Sequence, residues 1–259
     1  MKLTHSKSLL ALGLLAASLL PAAAAPAAPD ADQLLRQMSA KLAAARSFSF
    51  EANRKIDPVL VKGLNLPENA HLVLTVLRPN KIAAESTSKG EVRHFYADGQ
   101  NLSLVDVTKN LYATVPMHTS IDGLVAELDQ KYGFTPALAE LALSDIYQDI
   151  RGKAQSVAYL GEGTDSGGGA CHRLALPGKI MDAELWVGVS DQLPKRLITT
   201  LKNRPGKPQI KLDFSNWNLA AKTTDNNFAF VPSKGAVKVP MIATAEMEAA
   251  QKTNNVTQN

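Results

Sequence analysis

"ELWVGVSDQLPKRLITT", residues 184–200, runs through alternating apolar side chains, breaks at a polar turn and resumes after a Leu-Pro pair. Two apolar runs across a short polar break predict a β-hairpin. In its first arm Ala183, Leu185, Val187 and Val189 share one face, yet Trp186 stands on the other. An antiparallel sheet with one wet face reads as a clean apolar and polar alternation. Large apolar groups on both faces therefore predict a cover on each. "HLVLTVL", residues 71–77, makes the same demand, whereas "SFSFEAN", 47–53, and "IKLDFSN", 210–216, alternate cleanly.

Outward from the hairpin, the chain reads as two groups of strands around a helical insert. Ahead of the strands, Leu34, Leu35, Met38, Leu42 and Ala45 recur at helical spacing behind Asp30 or Asp32 as cap. The period then changes to two, with Phe48, Phe50 and Ala52 on one face. "RPNK" (78–81), Lys89-Gly90, Asp98-Gly99 and "KN" (109–110) punctuate the strands "IAAEST", "EVRHFYA", "NLSLVDV" and "LYATV". Consecutive strands with tight turns predict an antiparallel meander.

The insert begins where Thr119, with Asp122 three residues on, is placed to cap a helix whose stripe is Ile121, Leu124, Val125, Leu128 and Tyr132 and whose end is Gly133. Thr135-Pro136 predicts a second helix through Leu138, Leu141 and Ala142. Leu143, Ile146, Tyr147 and Ile150 continue on a shifted face. Strands resume in "SVAYLGEG" (156–163), "CHRLAL" (171–176), the hairpin and "PQIKLDFSNW" (208–217), and "FAFVPSKGAVKVP" (228–240) supplies one or two more. The expected fold is mainly β with some α+β character, a curved antiparallel sheet covered by a few amphipathic helices. Those helices are the expected cover for the two-faced strands, and they enclose an apolar volume against the sheet.

The ends and the composition bound the setting. Lys2, His5 and Lys7 precede an apolar run from Leu9 to Leu20, followed by Pro21 and small residues. This is the pattern of a secretory signal peptide over residues 1–28, with cleavage between 24 and 28. One domain is expected over 29–252, then a polar tail, 253–259. The single cysteine, Cys171, lies far from the leader, so no lipid-bearing thiol follows it and no membrane anchor is expected. The net charge of +4 includes Lys2 and Lys7; without them 26 basic residues face 24 acidic ones, a net +2. So weak and dispersed a charge argues against nucleic acid.

No residue pattern recommends catalysis. There is no H-E-x-x-H, nucleophile elbow, C-x-x-C or phosphate-binding loop, and Gly167–Gly169 reads as a hairpin turn. Cys171 and His172 are adjacent in a strand and so point to opposite faces. His71, His94 and His118 lack ligand spacing, and neither metal nor cofactor is expected. Trp186, Leu124, Leu128, Leu74 and Leu138 are the candidate ligand-lining residues, chosen by position on the sheet or the covering helices.

In "RPNKIAAE", "FYADGQNLSL", "LYATVPMHTSIDGLVAEL", "CHRLAL", "ELWVGVSDQLPKRLITT" and "WNLAAKTTDNNFAFVPSKGA" the chain resembles a family of predicted periplasmic proteins. That family is of unknown function and is related to the outer-membrane lipoprotein carrier (LolA/LolB-like) superfamily. These pieces span nearly the whole mature chain. The resemblance implies a half-barrel wrapped round helices and a soluble, non-enzymatic periplasmic protein that holds an apolar small molecule, a lipid or the acyl chains of a lipoprotein. The alternative it implies is a sensor or interaction module that binds another envelope protein.

Overall fold

The period-two runs are strands of one sheet in a computed structural model that describes residues 28–64, 67–134, 136 and 138–244. Apart from Ala28, the leader expected over 1–28 lies outside the described residues, as does the polar tail. The elements run α1 (Ala31–Ala44), β1 (Ser47–Ile56), α2 (Pro58–Leu64), β2 (Asn69–Leu77), β3 (Lys81–Ser88), β4 (Glu91–Ala97), β5 (Asn101–Asp106) and β6 (Leu111–Pro116). After these come α3 (Ile121–Tyr132), α4 (Ile146–Lys153), β7 (Ala158–Thr164), β8 (Ala170–Pro177), β9 (Met181–Gly188), β10 (Pro194–Leu201), β11 (Gln209–Asn218) and β12 (Val237–Lys238).

The sheet has 12 strands in the order β12-β6-β5-β4-β3-β2-β1-β11-β10-β9-β8-β7. Two meanders, β1 to β6 and β7 to β11, meet where β1 pairs antiparallel with β11. The sheet stays open, with β7 at one edge and β12, paired parallel with β6, at the other. Its concave face carries α1, α3 and α4, and the mainly β, half-barrel reading of the sequence is borne out.

Strand β1 shows why the residues choose that face. Phe48, Phe50, Ala52, Arg54 and Ile56 alternate inward and are all buried, each flanked by more exposed neighbours. Helix α1 presses Leu35, Met38 and Leu42 onto the β8–β9 half, all three wholly buried. Each such side chain contributes about 2 kcal/mol relative to an exposed one. Asp30 is its cap, accepting from the backbone N–H of Asp32 and Gln33. Asp32 instead accepts from the Tyr147 hydroxyl of α4 at 3.0 Å. Arg78 ties helices to sheet: its guanidinium donates to the carbonyls of Ala45 at 3.2 Å and Ala142 at 2.5 Å.

The helical insert departs from expectation in two places. Ser120, not Thr119, caps α3 through Gly123 N–H, and Gly133 ends the helix at φ 67. Asp122 is not part of a capping box; its carboxylate accepts the Ser144 N–H at 3.0 Å and the Ser144 hydroxyl at 2.7 Å. The helix expected from Thr135 is a single 3-10 turn, Ala139–Ala142, because Leu138 sits at φ 70, where no right-handed helix continues. Thr135 itself lies outside the described residues. The chain re-enters helix at α4, capped by Asp145. Helix α2, between β1 and β2, had no counterpart in the sequence reading; Pro58 suits its first turn and Leu60 is buried.

None of the described helices covers the second face of the sheet. Over β3 to β6 it is crossed by the segment after β11, where Phe228 is wholly buried and Phe230 stacks on Tyr96 at 6.1 Å and lies 5.2 Å from Tyr112. Over β9 the cover is a pair of arginines from the flanking strands. Arg173 and Arg196 pair with Trp186 in register and hold their guanidinium carbons 5.2 and 4.9 Å from its ring. Glu184 accepts the indole N–H at 2.7 Å and also bonds Arg173 at 2.8 Å. A Cβ on Gly163 would stand 2.9 Å from that indole, so only glycine lets the ring lie across β7.

Candidate functional site

On the concave face of β1 to β6 the inward side chains form rows that run across the strands. One row is Leu74, Ala84, Phe95, Leu104 and Ala113, each facing the next across a strand pair. Two residues further along each strand the row reads Leu72, Ser86, Arg93, Asp106 and Leu111. Beyond it stand Arg54, Ser88 and Glu91. The floor thus passes from apolar to charged along the strand direction.

Above this floor lies a cavity of about 820 Å³. Its roof is the chain after α3, Phe134, Pro136 and Leu138, together with Val239, Pro240, Met241 and Ile242 beyond β12. The left-handed conformation that breaks the expected second helix is what places Leu138 here, 7% exposed against the core. The volume is within the usual range for small-molecule sites, roughly 300–1,000 Å³.

The five candidate residues divide. Leu74 and Leu138 line the cavity from floor and roof. Leu124 and Leu128 are buried in the core between α3 and the sheet, outside the cavity lining. Trp186 belongs to the opposite face of β9, held by its arginines, also away from the cavity. Trp217 likewise packs in the core, stacked on Phe50 at 4.3 Å with its N–H donated to the Pro194 carbonyl at 2.8 Å.

The charged end holds the residues that sequence reasoning missed. Arg54 is 9% exposed, the lowest of any charged residue described. Its Nε is sealed from solvent with no hydrogen-bond partner among the described residues, and one long bond, 3.4 Å, runs from Nη2 to the Pro67 carbonyl. Burial, together with the nearby Arg93 charge, pushes the Arg54 pKa down. Arg93 by contrast is paired, to Glu91 at 3.1 Å and Asp106 at 3.8 Å. A signal was present in the sequence: extending the Phe48, Phe50, Ala52 alternation by one more step puts Arg54 on the buried face.

Elsewhere the side chains with chemical potential are occupied or separate. Cys171 is wholly buried, with Sγ 3.5 Å from the Gly169 carbonyl, and burial raises its pKa. His172 pairs instead with the Tyr159 hydroxyl at 3.2 Å. In the Gly167–Gly169 turn the amides of Gly167 and Gly169 both donate to Asp165, each at 2.8 Å, which closes the loop on its own carboxylate. Among the described residues no group of three His, Cys, Asp or Glu side chains could hold a metal ion, and no helix is long and apolar enough to cross a membrane.

A family model described as "Predicted periplasmic protein (DUF2092)" matches residues 31–242. No curated protein sequence matches the chain. Among solved structures, an uncharacterized conserved protein from Thermus thermophilus is similar at TM-score 0.49 and 12% identity, over 82% of this chain and 99% of that one. The MucA/MucB complex of Pseudomonas aeruginosa aligns at TM-score 0.44 and 14% identity, over 78% of this chain and 62% of that one. A LolA superfamily protein from Nitrosomonas europaea aligns at TM-score 0.36 and 12% identity, over 78% and 99%.

Proposed function

The chain belongs to the DUF2092 family of predicted periplasmic proteins, and from that premise we propose that it is a non-enzymatic binding protein that holds an apolar, chain-like ligand in the cavity over β1 to β6. The observation that carries this reading is the cavity itself. Its floor row, Leu74 to Ala113, and its roof, Phe134 to Ile242, are apolar and face each other across about 820 Å³. Two small floor residues, Ala84 and Ala113, leave room that a packed core would fill.

Burial suffices as a mechanism. Each methylene taken from water contributes about 0.8 kcal/mol, so a partly enclosed acyl chain is held without covalent chemistry. Entry and release then depend on the roof. It is built from two connecting segments rather than from a helix, and connecting segments are the readier part of a fold to move. The ligand class is a lipid or the acyl part of a lipoprotein.

Fluorescence titration with cis-parinaric acid, whose emission rises in apolar surroundings, tests the reading. Saturable binding at one molecule per chain is expected. Emission that climbs linearly with no saturation would count against a defined site.

A second reading, recognition of another envelope protein, draws on one feature. Strand β7 is one edge of the sheet, paired among the described residues only with β8, and its residues alternate between exposed and half-buried. An unpaired edge offers backbone donors and acceptors to an added strand.

A further inference from the structure

The cavity is apolar over most of its lining, yet Arg54 stands in its wall with a nine-tenths buried side chain and no ion pair among the described residues. A guanidinium taken out of water is costly unless an anion or several acceptors meet it. Among the described residues the only acceptor is the Pro67 carbonyl at 3.4 Å, while Nε has none. The carboxylates nearby are otherwise engaged: Glu91 and Asp106 bond Arg93, and Asp106 also meets Lys109 at 3.4 Å. Ser86 and Ser88 line the same end, and Ser88 Oγ donates to the Asn69 carbonyl.

The geometry points to Arg54 as the receptor for the headgroup of the bound ligand, which is an acyl amphiphile ending in an oxyanion, a carboxylate or a phosphate. This rests on the cavity reading above and names the ligand class within it. Arg54 lies four residues along β1 from Phe50, which faces Leu74 in the apolar row. That separation is about 13 Å along the strand, and the row itself crosses β2 to β6, about 19 Å at the usual strand spacing. A ligand with one charged end and a long tail matches this layout; a neutral hydrocarbon would leave the guanidinium unpaired. A planar fork also suits an oxyanion better than a point charge does.

The test is calorimetric titration of the full chain with three probes sharing one tail: hexadecanoate, hexadecyl phosphate and hexadecanol. The wild type is expected to bind at least one anion about tenfold or more tighter than the alcohol, the range of a charge-assisted hydrogen bond over a neutral one. Which anion gains more separates a fatty-acid source from a phospholipid source. Arg54→Gln, which is neutral and keeps a donor for Pro67, is expected to erase the preference, bringing the anions to the affinity of hexadecanol. Equal wild-type affinity for all three, or a preference that survives in a folded Arg54→Gln, overturns the headgroup assignment and leaves the cavity reading standing. Binding of none of the three removes both. The wild-type comparison decides the matter even if the variant does not fold, and Arg54→Met provides a second neutral replacement.

Discussion

Ala84 is the position at which the cavity is most directly closed. It sits on β3 between Leu74 and Phe95 in the apolar row, half-buried against the core, with the cavity rather than another element above it. Replacing it with Phe puts a ring into the space assigned to the ligand. A buried Phe covers roughly 150 Å² or more. If the ring takes that much surface from the ligand, the lost transfer energy at 25 cal/mol per Å² is about 4 kcal/mol. Half of that is still about 2 kcal/mol, a roughly thirtyfold weaker affinity. Since the ring fills space instead of displacing packed neighbours, and Phe favours a strand, the melting temperature should hold or rise. Hexadecanoate affinity by calorimetry and thermal unfolding by circular dichroism read the two effects separately. A folded Ala84→Phe with wild-type affinity would refute the placement of the ligand on this row. A large fall in melting temperature would mean that the space is already packed.

Other outcomes follow from individual groups. Arg78→Met removes the donors to Ala45 and Ala142 and is expected to cost about 3 kcal/mol in denaturant unfolding, since bonds from charged donors contribute about 1.5–3 kcal/mol each; a loss under about 1 kcal/mol would argue against its role in fastening the helices. Burial raises the Glu140 pKa above its ordinary 4.5, so the folded state binds more protons there and stability falls as pH rises above that value. Glu140→Gln should therefore raise the unfolding midpoint at neutral pH and change little below about pH 4, and an equal effect at both would contradict this. Trp186→Phe keeps a ring between Arg173 and Arg196 and should leave ligand affinity untouched, because the indole lies outside the cavity. Cys171, buried and with a raised pKa, should react with a thiol reagent only on unfolding; rapid labelling of the native protein would show that the loop above it opens.

Local patterns carried the strands and the meander because side-chain alternation and turn residues are written in consecutive positions. Phe48, Phe50 and Ala52 declared their face within one strand. What covers a face depends on register between distant segments, and there the sequence reading went astray. Trp186 demanded a cover, but Arg173 and Arg196 become its neighbours only once β8, β9 and β10 pair. Of the segment 228–240, read as one or two strands, Val237–Lys238 does pair as β12, whereas Phe228 and Phe230 lie across the second face of β3 to β6. The break at Leu138 reflects a backbone angle that no residue type announces, since leucine rarely adopts it. Of the cavity lining, Leu74 and Leu138 were named by position on the sheet and the covering segment alone, since β2 is apolar on both faces, while Arg54 was legible in principle, one step past the quoted strand.

Native mass spectrometry of the protein, purified from its own envelope without detergent and followed by organic extraction, tests the central claim most directly. The account predicts a stoichiometric adduct that extracts as an acyl amphiphile with a carboxylate or phosphate end. A bare protein mass that persists after incubation with envelope lipids would contradict it.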